Sequence, residues 1–319
     1  MLAVEDLRVY FPIQAGVLKR TVGFVKAVDG VSFQLQRGQT LGLVGESGCG
    51  KSTVAKALMQ VIALTSGRVS LDGVPVMSGD RVQLQAYRRK VQLVFQDPGE
   101  SLNGRHTLGE ILAEPMEIHG VGEATQRDAL IQQLLMDVGL GNTPLTRYPH
   151  EFSGGQRQRI GIARALALDP EFLLCDEPVS ALDVSVQAQI LNLLMDLQAS
   201  RGLGMMMISH DLSVIRHVSH TVGVMYLGQM MEYAPAERLF SEPLHPYTEA
   251  LLDAVPRPDP RLRDRPRRAL VGELPSASNP PPGCPFQTRC PRVMPRCREH
   301  RPDFREWAPA HWIACHAVD

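Results

Sequence analysis

The stretch GESGCGKS, Gly45 to Ser52, decides the fold of this chain. It fits the pattern G-x-x-x-x-G-K-[ST] and stands between a short apolar run, LGLVG, and the helically spaced STVAKALMQVI. A loop of this kind, between a strand and a helix, wraps backbone N–H groups around the β-phosphate of a nucleotide. The helix N-terminus adds the positive end of a dipole. We therefore predict a phosphate-binding loop.

The positions of this loop have separate expected tasks. Lys51 is expected to reach the β- and γ-phosphates, and Ser52 to offer its hydroxyl to Mg²⁺. Thr53 is expected to meet the α-phosphate, whereas Cys49 occupies a free position and is interpreted as an incidental small residue. The predicted nucleotide-binding residues of this stretch are Gly45, Glu46, Ser47, Gly48, Cys49, Gly50, Lys51, Ser52 and Thr53.

A second apolar run, FLLCDEP, ends in two acids. A strand that ends in Asp176 would place its carboxylate beside the metal of a bound nucleotide, as in the Walker B arrangement. Glu177 follows on the opposite side of the strand, where an attacking water would lie, and is the predicted general base or water-polarising residue. Cys175 faces the apolar side and is expected to fill the core.

The rest of the chain predicts an α/β protein with an extra β layer. Apolar strands alternate with helical patterns, which is typical of a parallel-sheet core. The opening segments LAVEDLRVYF and VKAVDGVSFQL alternate apolar and polar residues and predict an added antiparallel layer.

The N-terminal sequence and the lengths of the apolar stretches indicate the cellular compartment. The N-terminus shows no secretory pattern, and no apolar stretch approaches the roughly 20 residues of a membrane-spanning helix. A reducing, cytosolic compartment is expected, with any role at a membrane being peripheral.

The C-terminal part of the chain differs in composition from the rest. Pro256–Arg305 carries 12 Arg, 5 acids and 12 of the 24 prolines. This density predicts a boundary near residues 240–256 and a tail built mostly of loops.

Four further motifs carry a family resemblance. The segment FSGGQRQRIGIARAL resembles the signature of ATP-binding cassette (ABC) ATPases, with Phe152 where leucine is commoner. Gln96 in VFQDP is similar to the Q-loop glutamine, SALD (Ser180 to Asp183) to the D-loop, and His210 to the H-loop histidine. The resemblance covers residues 1 to about 240. It implies an ABC nucleotide-binding domain with a helical signature subdomain.

The resemblance also implies residue roles. Two such domains would pack head to tail and sandwich two ATP molecules. The catalytic residues would be Glu177, His210, Lys51 and Gln96. Mg²⁺ would be held by Ser52, Gln96 and Asp176. Ser153, Gly154 and Gly155 would contact the γ-phosphate of the nucleotide bound by the partner. Gln156 and Asp183 are further expected nucleotide-binding residues.

The C-terminal tail indicates which subgroup of ABC ATPases the chain resembles. EPLHPYTEALLDAVPRPDP, the later proline-rich segment and ACHAVD resemble the C-terminal extension of dipeptide and oligopeptide importer ATPases, with nickel-importer ATPases as near relatives. The F-type ATPase of dipeptide importers is the most similar group. The resemblance implies a second, different ABC ATPase as partner, two membrane permeases and an extracytoplasmic solute-binding protein. The chain would lie on the cytoplasmic face of the membrane, and nickel or glutathione remain alternative cargoes.

The tail also holds a cysteine cluster of spacing C-x5-C-x6-C-x17-C, namely Cys284, Cys290, Cys297 and Cys315. Four thiolates can hold one tetrahedral metal or one cubane cluster. The resemblance implies a 4Fe-4S cluster here. Zinc and metal-free thiols stay open, although zinc sites usually begin with a tighter cysteine pair. A metal would act as a staple for a tail with little apolar surface.

We thus expect an ABC ATPase domain over residues 1–240 and a metal-stapled extension over residues 241–319. A competing function is an ABC ATPase that acts on nucleic acid, with the basic tail as binding module. The tail lacks the interleaved aromatic residues that stack on bases. The chain also shows one cassette and no sustained heptads. No nucleic-acid partner is therefore expected.

Overall fold

The computed structural model describes residues 1–17, 19–77, 79–255 and 272–318. The strands are β1 (Leu2–Ala15), β2 (Arg20–Leu35), β3 (Thr40–Val44), β4 (Ser66–Leu71), β5 (Val74–Pro75), β6 (Val91–Val94), β7 (Phe172–Asp176), β8 (Gly204–Ile208), β9 (Thr221–Tyr226), β10 (Gln229–Pro235), β11 (Arg305–Ala308) and β12 (His311–Ile313). The helices are α1 (Lys51–Leu58), α2 (Arg81–Lys90), α3 (Pro98–Ser101), α4 (Leu108–Ile118), α5 (Ala124–Asp137), α6 (Gly154–Leu166), α7 (Val184–Arg201), α8 (Leu212–Val218), α9 (Ala236–Ser241), α10 (Pro246–Ala254) and α11 (Pro295–Glu299). A 3-10 helix spans Pro149–Glu151.

The chain divides into two compact units. The first comprises Met1, Leu35–Thr40 and Gly73–Ile208. Its strands β6, β7 and β8 run parallel, with Phe172 opposite both Val91 and Gly204. Every residue of β7 and β8 is buried, as expected for continuous apolar strands covered on both faces. Helix α6 packs against α3, α4, α5, α7 and β6 and forms the centre of the helical part.

The second unit comprises Leu2–Gln34, Leu41–Asp72 and Ser209–Asp319. Strand β1 pairs antiparallel with β4, which confirms the predicted N-terminal antiparallel layer. Strand β3 pairs parallel with β9, and β9 pairs antiparallel with β10. This unit therefore carries the phosphate-binding loop, because the loop leaves β3 and enters α1.

Most of the described tail is loop, as its proline content predicted, but a few short elements interrupt it. Strand β12 pairs antiparallel with β10, with Glu232 opposite Ile313, and β11 pairs with β12. Helices α10 and α11 begin at Pro246 and Pro295. Proline suits the first turn of a helix, where its missing N–H would have no partner, so a high proline content did not prevent these elements. Residues 256–271, the start of the predicted Arg- and Pro-rich segment, lie outside the described residues.

None of the described helices combines the length and the apolar character needed to cross a membrane.

Candidate functional site

The phosphate-binding loop has the predicted strand–loop–helix setting. At two of its glycines, any larger residue would clash with neighbouring backbone. Gly45 has φ +151° and Gly50 has φ +107°. A Cβ at Gly45 would lie 2.2 Å from the carbonyl oxygen of Met225, and one at Gly50 would lie 2.1 Å from that of Ala27. The neighbouring backbone therefore fills the space that a side chain would need. The loop can take this shape only with glycine at both positions.

Lys51 is held inside the loop that it completes. Its side chain is buried, and Nζ donates hydrogen bonds to the carbonyl oxygens of Gly45 at 2.8 Å and Glu46 at 3.0 Å. Cys49 is fully buried, and burial raises the pKa of its thiol. The interpretation of Cys49 as an incidental small residue stays a prediction. Ser52 and Thr53 are half-buried in the first turn of α1.

The tail braces the loop at Glu46. The backbone N–H of Glu46 donates to Tyr247 Oη at 2.9 Å. Its carboxylate accepts two bonds from Arg289, from Nη1 at 2.5 Å and from Nη2 at 3.0 Å. Burial raises the pKa of Tyr247, so its hydroxyl stays protonated. Sequence reasoning missed this contact, because an arginine 243 positions away carries no spacing signal.

In the first unit, the strand predicted to end in Asp176 is β7. Asp176 is the buried last residue of the strand. Glu177 follows in the left-handed region at φ +47°, a conformation that costs energy in a non-glycine residue and is often found at functional sites. Its N–H donates to the carbonyl oxygen of Ile208 at 3.0 Å. Gln96 Nε2 donates to Glu177 Oε2 at 3.2 Å, so the structure brings these two predicted catalytic residues together.

The signature segment starts a helix, as predicted. Ser153 caps α6: the N–H of Gln156 donates to Ser153 Oγ, and the N–H of Ser153 donates to Gln156 Oε1 at 3.0 Å. Gly154 and Gly155 form the first turn, whose N–H groups suit an anion. A Cβ at Gly155 would lie 2.5 Å from Val186 Cγ1 on α7. The close approach of the two helices therefore requires this glycine.

Two predicted residues lie at helix starts. Asp183 is exposed and precedes α7, while Ser180 Oγ donates to the carbonyl oxygen of Glu177 at 3.1 Å. His210 is exposed in the second unit and precedes Asp211, whose carboxylate caps α8. Within the first unit the Q-loop, D-loop and Walker B residues thus meet at Glu177.

The predicted metal site of the tail is not supported by the side-chain positions. Among the described residues, no group of three or more His, Cys, Asp or Glu side chains could hold a metal ion. All six cysteines are free thiols. Burial raises the pKa of Cys284 to about 12, and the nearby Cys297, Cys290 and Cys315 raise it further. Burial likewise raises the pKa of Cys290 and Cys315. Cys284 and Cys297 are buried, whereas Cys290 and Cys315 are half-buried.

Comparison with known families agrees with these motifs. Residues 28–180 match the family described as "ABC transporter", and residues 231–297 match "Oligopeptide/dipeptide transporter, C-terminal region". The chain is 52% identical over 318 residues to the oligopeptide transport ATP-binding protein AppF of Bacillus subtilis (strain 168). That alignment covers 99% of this chain and 97% of AppF.

Two further comparisons extend this result. The "Probable peptide ABC transporter ATP-binding protein y4tS" of Sinorhizobium fredii is 52% identical, with coverage of 99% of this chain and 89% of y4tS. Among solved structures, the ATP-binding cassette MJ0796, a dimer bound to ADP and phosphate, superposes with a TM-score of 0.65 at 26% identity. It covers 74% of this chain and 99% of MJ0796. Because more than half of the residues are identical to AppF over nearly the whole of both chains, this protein belongs to the ATP-binding proteins of the ABC transporter family, in the group with an oligopeptide/dipeptide transporter C-terminal region.

Proposed function

We propose that this chain is the ATP-hydrolysing, energy-coupling subunit of a membrane importer for oligopeptides or dipeptides. The observation that carries the proposal is the 52% identity to AppF over the whole chain, tail included. The tail matters because the peptide-transporter region begins at residue 231, beyond the nucleotide-binding motifs. The geometry of the loop around Lys51 supports the ATPase part of the proposal.

The nucleotide would be bound by the residues of the phosphate-binding loop. The N–H groups from Gly45 to Gly50 would surround the β-phosphate, and Lys51 would exchange its bonds to loop carbonyls for bonds to phosphate oxygens. Thr53 would meet the α-phosphate. Ser52, Asp176 and Gln96 offer oxygen atoms, which suit Mg²⁺, a cation that is held by few protein ligands together with the nucleotide phosphates. Bound Mg²⁺ would neutralise charge on the phosphates.

Hydrolysis would depend on the orientation of water. Glu177 is the proposed general base, and the bond from Gln96 holds its carboxylate in one position. His210 is proposed to contact the γ-phosphate and the attacking water. The cap formed by Ser153 and the turn of Gly154, Gly155 and Gln156, with Asp183, would bind the nucleotide held by a partner ATPase.

The proposed assembly follows from this arrangement. One chain offers half of each ATP site, so it needs a second ABC ATPase, which we propose to be a different chain. Two membrane permeases would carry the peptide, and an extracytoplasmic solute-binding protein would deliver it. The chain would then be a peripheral subunit on the cytoplasmic face of the membrane.

The iron–sulfur cluster of the tail is a separate proposal. Its support is the gathering of four thiols within electrostatic range of Cys284. Against it stands the lack of a metal-binding arrangement among the described residues. A 4Fe-4S cluster, with zinc as the alternative, would have to form with the four thiols ionised.

Replacement of Glu177 by Gln tests the proposed function. The variant should bind ATP as the parent does but turn over about 10²–10⁴-fold more slowly, because a general base contributes on that order. Glu171→Gln is a matched control: Glu171 adjoins the opposite end of β7 and pairs with Arg37 and Lys90. ATP binding would be measured by calorimetry and turnover by phosphate release. Full turnover in the Glu177 variant would assign water activation to another residue.

A further inference from the structure

Arg289 lies in the cysteine segment, directly before Cys290, yet its side chain reaches the phosphate-binding loop. The side chain is 5% exposed, and its guanidinium makes two parallel bonds to the Glu46 carboxylate. Such fork-like pairs fix geometry as well as charge. The neighbouring Arg292 is 43% exposed and pairs instead with Glu249 on α10. Of these two arginines from the same segment, only Arg289 therefore contacts the phosphate-binding loop, whereas Arg292 contacts helix α10.

Glu46 is held at each of its polar groups. Its N–H donates to Tyr247, its carbonyl oxygen accepts from Lys51 Nζ, and its carboxylate accepts from Arg289. The second of these contacts links Glu46 to the lysine that is expected to reach the phosphates. A shift of Glu46 would therefore move the amino group of Lys51 as well.

The charge of Glu46 makes its partner important. The carboxylate belongs to a loop that is shaped to receive phosphate groups, and like charges at short range repel. The guanidinium of Arg289 offsets that negative charge. Without the arginine, the loop would present an uncompensated acid next to the incoming phosphates.

The position of Arg289 is itself fixed by packing. Its guanidinium lies over the ring of Tyr226, 5.9 Å from the centroid. The ring of Phe286, three residues earlier, packs at 5.3 Å from Tyr226 and 5.2 Å from Tyr247. The N–H of Cys284 also donates to the carbonyl oxygen of Cys297 at 2.8 Å. The segment thus presents a pre-ordered arginine to the loop.

We propose that Arg289 is a positioning residue for nucleotide binding: it holds Glu46, and through it Lys51, in the phosphate-receiving arrangement and cancels the loop's own negative charge. The proposal rests on the proposed function, since it concerns the same nucleotide site. It assigns to the cysteine segment a direct part in ATP affinity. A structural change in the cysteine segment would therefore alter the phosphate-binding loop through the side chain of Arg289.

The test is the affinity of the full-length chain for MgADP, measured by calorimetry. Arg289→Ala should raise the Kd about tenfold, because the uncompensated carboxylate of Glu46 then repels the phosphates at short range. Arg289→Lys should recover part of the loss, since it restores the charge but not the fork. The control Arg292→Ala should bind MgADP as the parent does. The urea midpoint without nucleotide reports separately on any loosening of the tail.

A second variant distinguishes positioning and charge from a general structural effect. In the Glu46→Gln background there is no acid to neutralise, so Arg289→Ala should then change the Kd by less than about threefold. An equal loss in both backgrounds would overturn the proposal. So would an unchanged Kd for Arg289→Ala, or an equal loss for Arg292→Ala.

Lys51→Ala separates this proposal from the proposed function. If the parent binds MgADP and Lys51→Ala does not, the nucleotide site is confirmed, and the Arg289 results stand on their own. If the parent fails to bind, or Lys51→Ala binds equally well, the proposed nucleotide site is wrong and the role of Arg289 falls with it.

Discussion

Single buried polar residues attach the tail to strand β10. Glu232 on β10 is fully buried. Its carboxylate accepts bonds from the backbone N–H groups of Leu244 and His245 and from the ring of His311. His245 is also buried, and its Nδ1 accepts from the N–H of Tyr247, which caps α10. A buried carboxylate is tolerated only when its partners are all present. These contacts therefore determine the path of the chain here.

His245 predicts a pH dependence of stability. Burial lowers the pKa of His245 from 6.5 to about 4, although Glu232 opposes the shift. The unfolded chain then binds a proton more readily than the folded one between these values. The stability contribution is complete above pH 6.5 and is lost as the pH falls towards 4. The free energy of unfolding should decrease by about 3 kcal/mol from this group, at about 1.4 kcal/mol per unit.

The measurement is urea unfolding from pH 7 to pH 4 on the parent and on His245→Asn. Asparagine can still accept the capping bond at the start of α10, but it does not titrate. The variant should therefore show a flatter dependence on pH. Parallel curves for the two proteins would show that the acid sensitivity has another source.

At the scale of helices and strands, two glycines differ in how much space their surroundings leave for a side chain. Gly204 begins β8, where an added Cβ would lie 2.5 Å from the Phe172 ring and 2.8 Å from the carbonyl oxygen of Gln36. Gly161 lies inside α6, where an added Cβ would meet nothing within 4 Å. The backbone of β8 therefore packs closely against its neighbours at Gly204. Helix α6, in contrast, has room for a methyl group at Gly161.

Alanine at these two positions should have opposite effects. Gly204→Ala should lower the free energy of unfolding by about 2 kcal/mol, because overpacking against a ring and a backbone oxygen forces a shift. Gly161→Ala should raise it by about 0.5–1 kcal/mol, since alanine favours a helix. Both are measured by urea denaturation at neutral pH. A stable Gly204→Ala protein would mean that β8 and Phe172 move apart at little cost.

At the scale of the whole molecule, the tail and the phosphate-binding loop belong to the same compact unit. The N–H of Lys26 on β2 donates to the carbonyl oxygen of Ala277, and Arg301 pairs with Asp29 at 2.9 Å. Strand β12 extends the pairing of β10. The predicted division at residues 240 and 241 stays a prediction, and these contacts give the tail a structural role in the unit that carries the loop.

The proposed cluster predicts the metal content of the intact chain. Protein purified without oxygen should carry about four irons per chain, with a broad absorption band in the visible range. Cys290→Ser should lose the iron, whereas Cys175→Ala, which replaces a thiol buried in β7, should keep it. One zinc per chain would replace the cluster by the alternative. A metal-free protein would refute both.

Local patterns were sufficient for the central elements. The apolar runs before Gly45 and Asp176 are strands β3 and β7, and the signature segment is helix α6. In the tail, loops occupy most of the described residues, as the proline content predicted, but strands β11 and β12 were not predicted. Strand β12 is held by pairing with β10, and β11 by pairing with β12, contacts that composition does not reveal.

The sequence by itself determined the phosphate-binding loop, the acids at the end of β7 and the family of the chain, because each depends on residues that are neighbours along the chain. Only the tertiary structure decided which residues hold that loop in place. The pairing of Glu46 with Arg289 joins two positions that are 243 residues apart. Their meeting depends on the packing of Phe286 against Tyr226 and Tyr247. No local pattern encodes such a contact, since it arises only when the whole chain has folded.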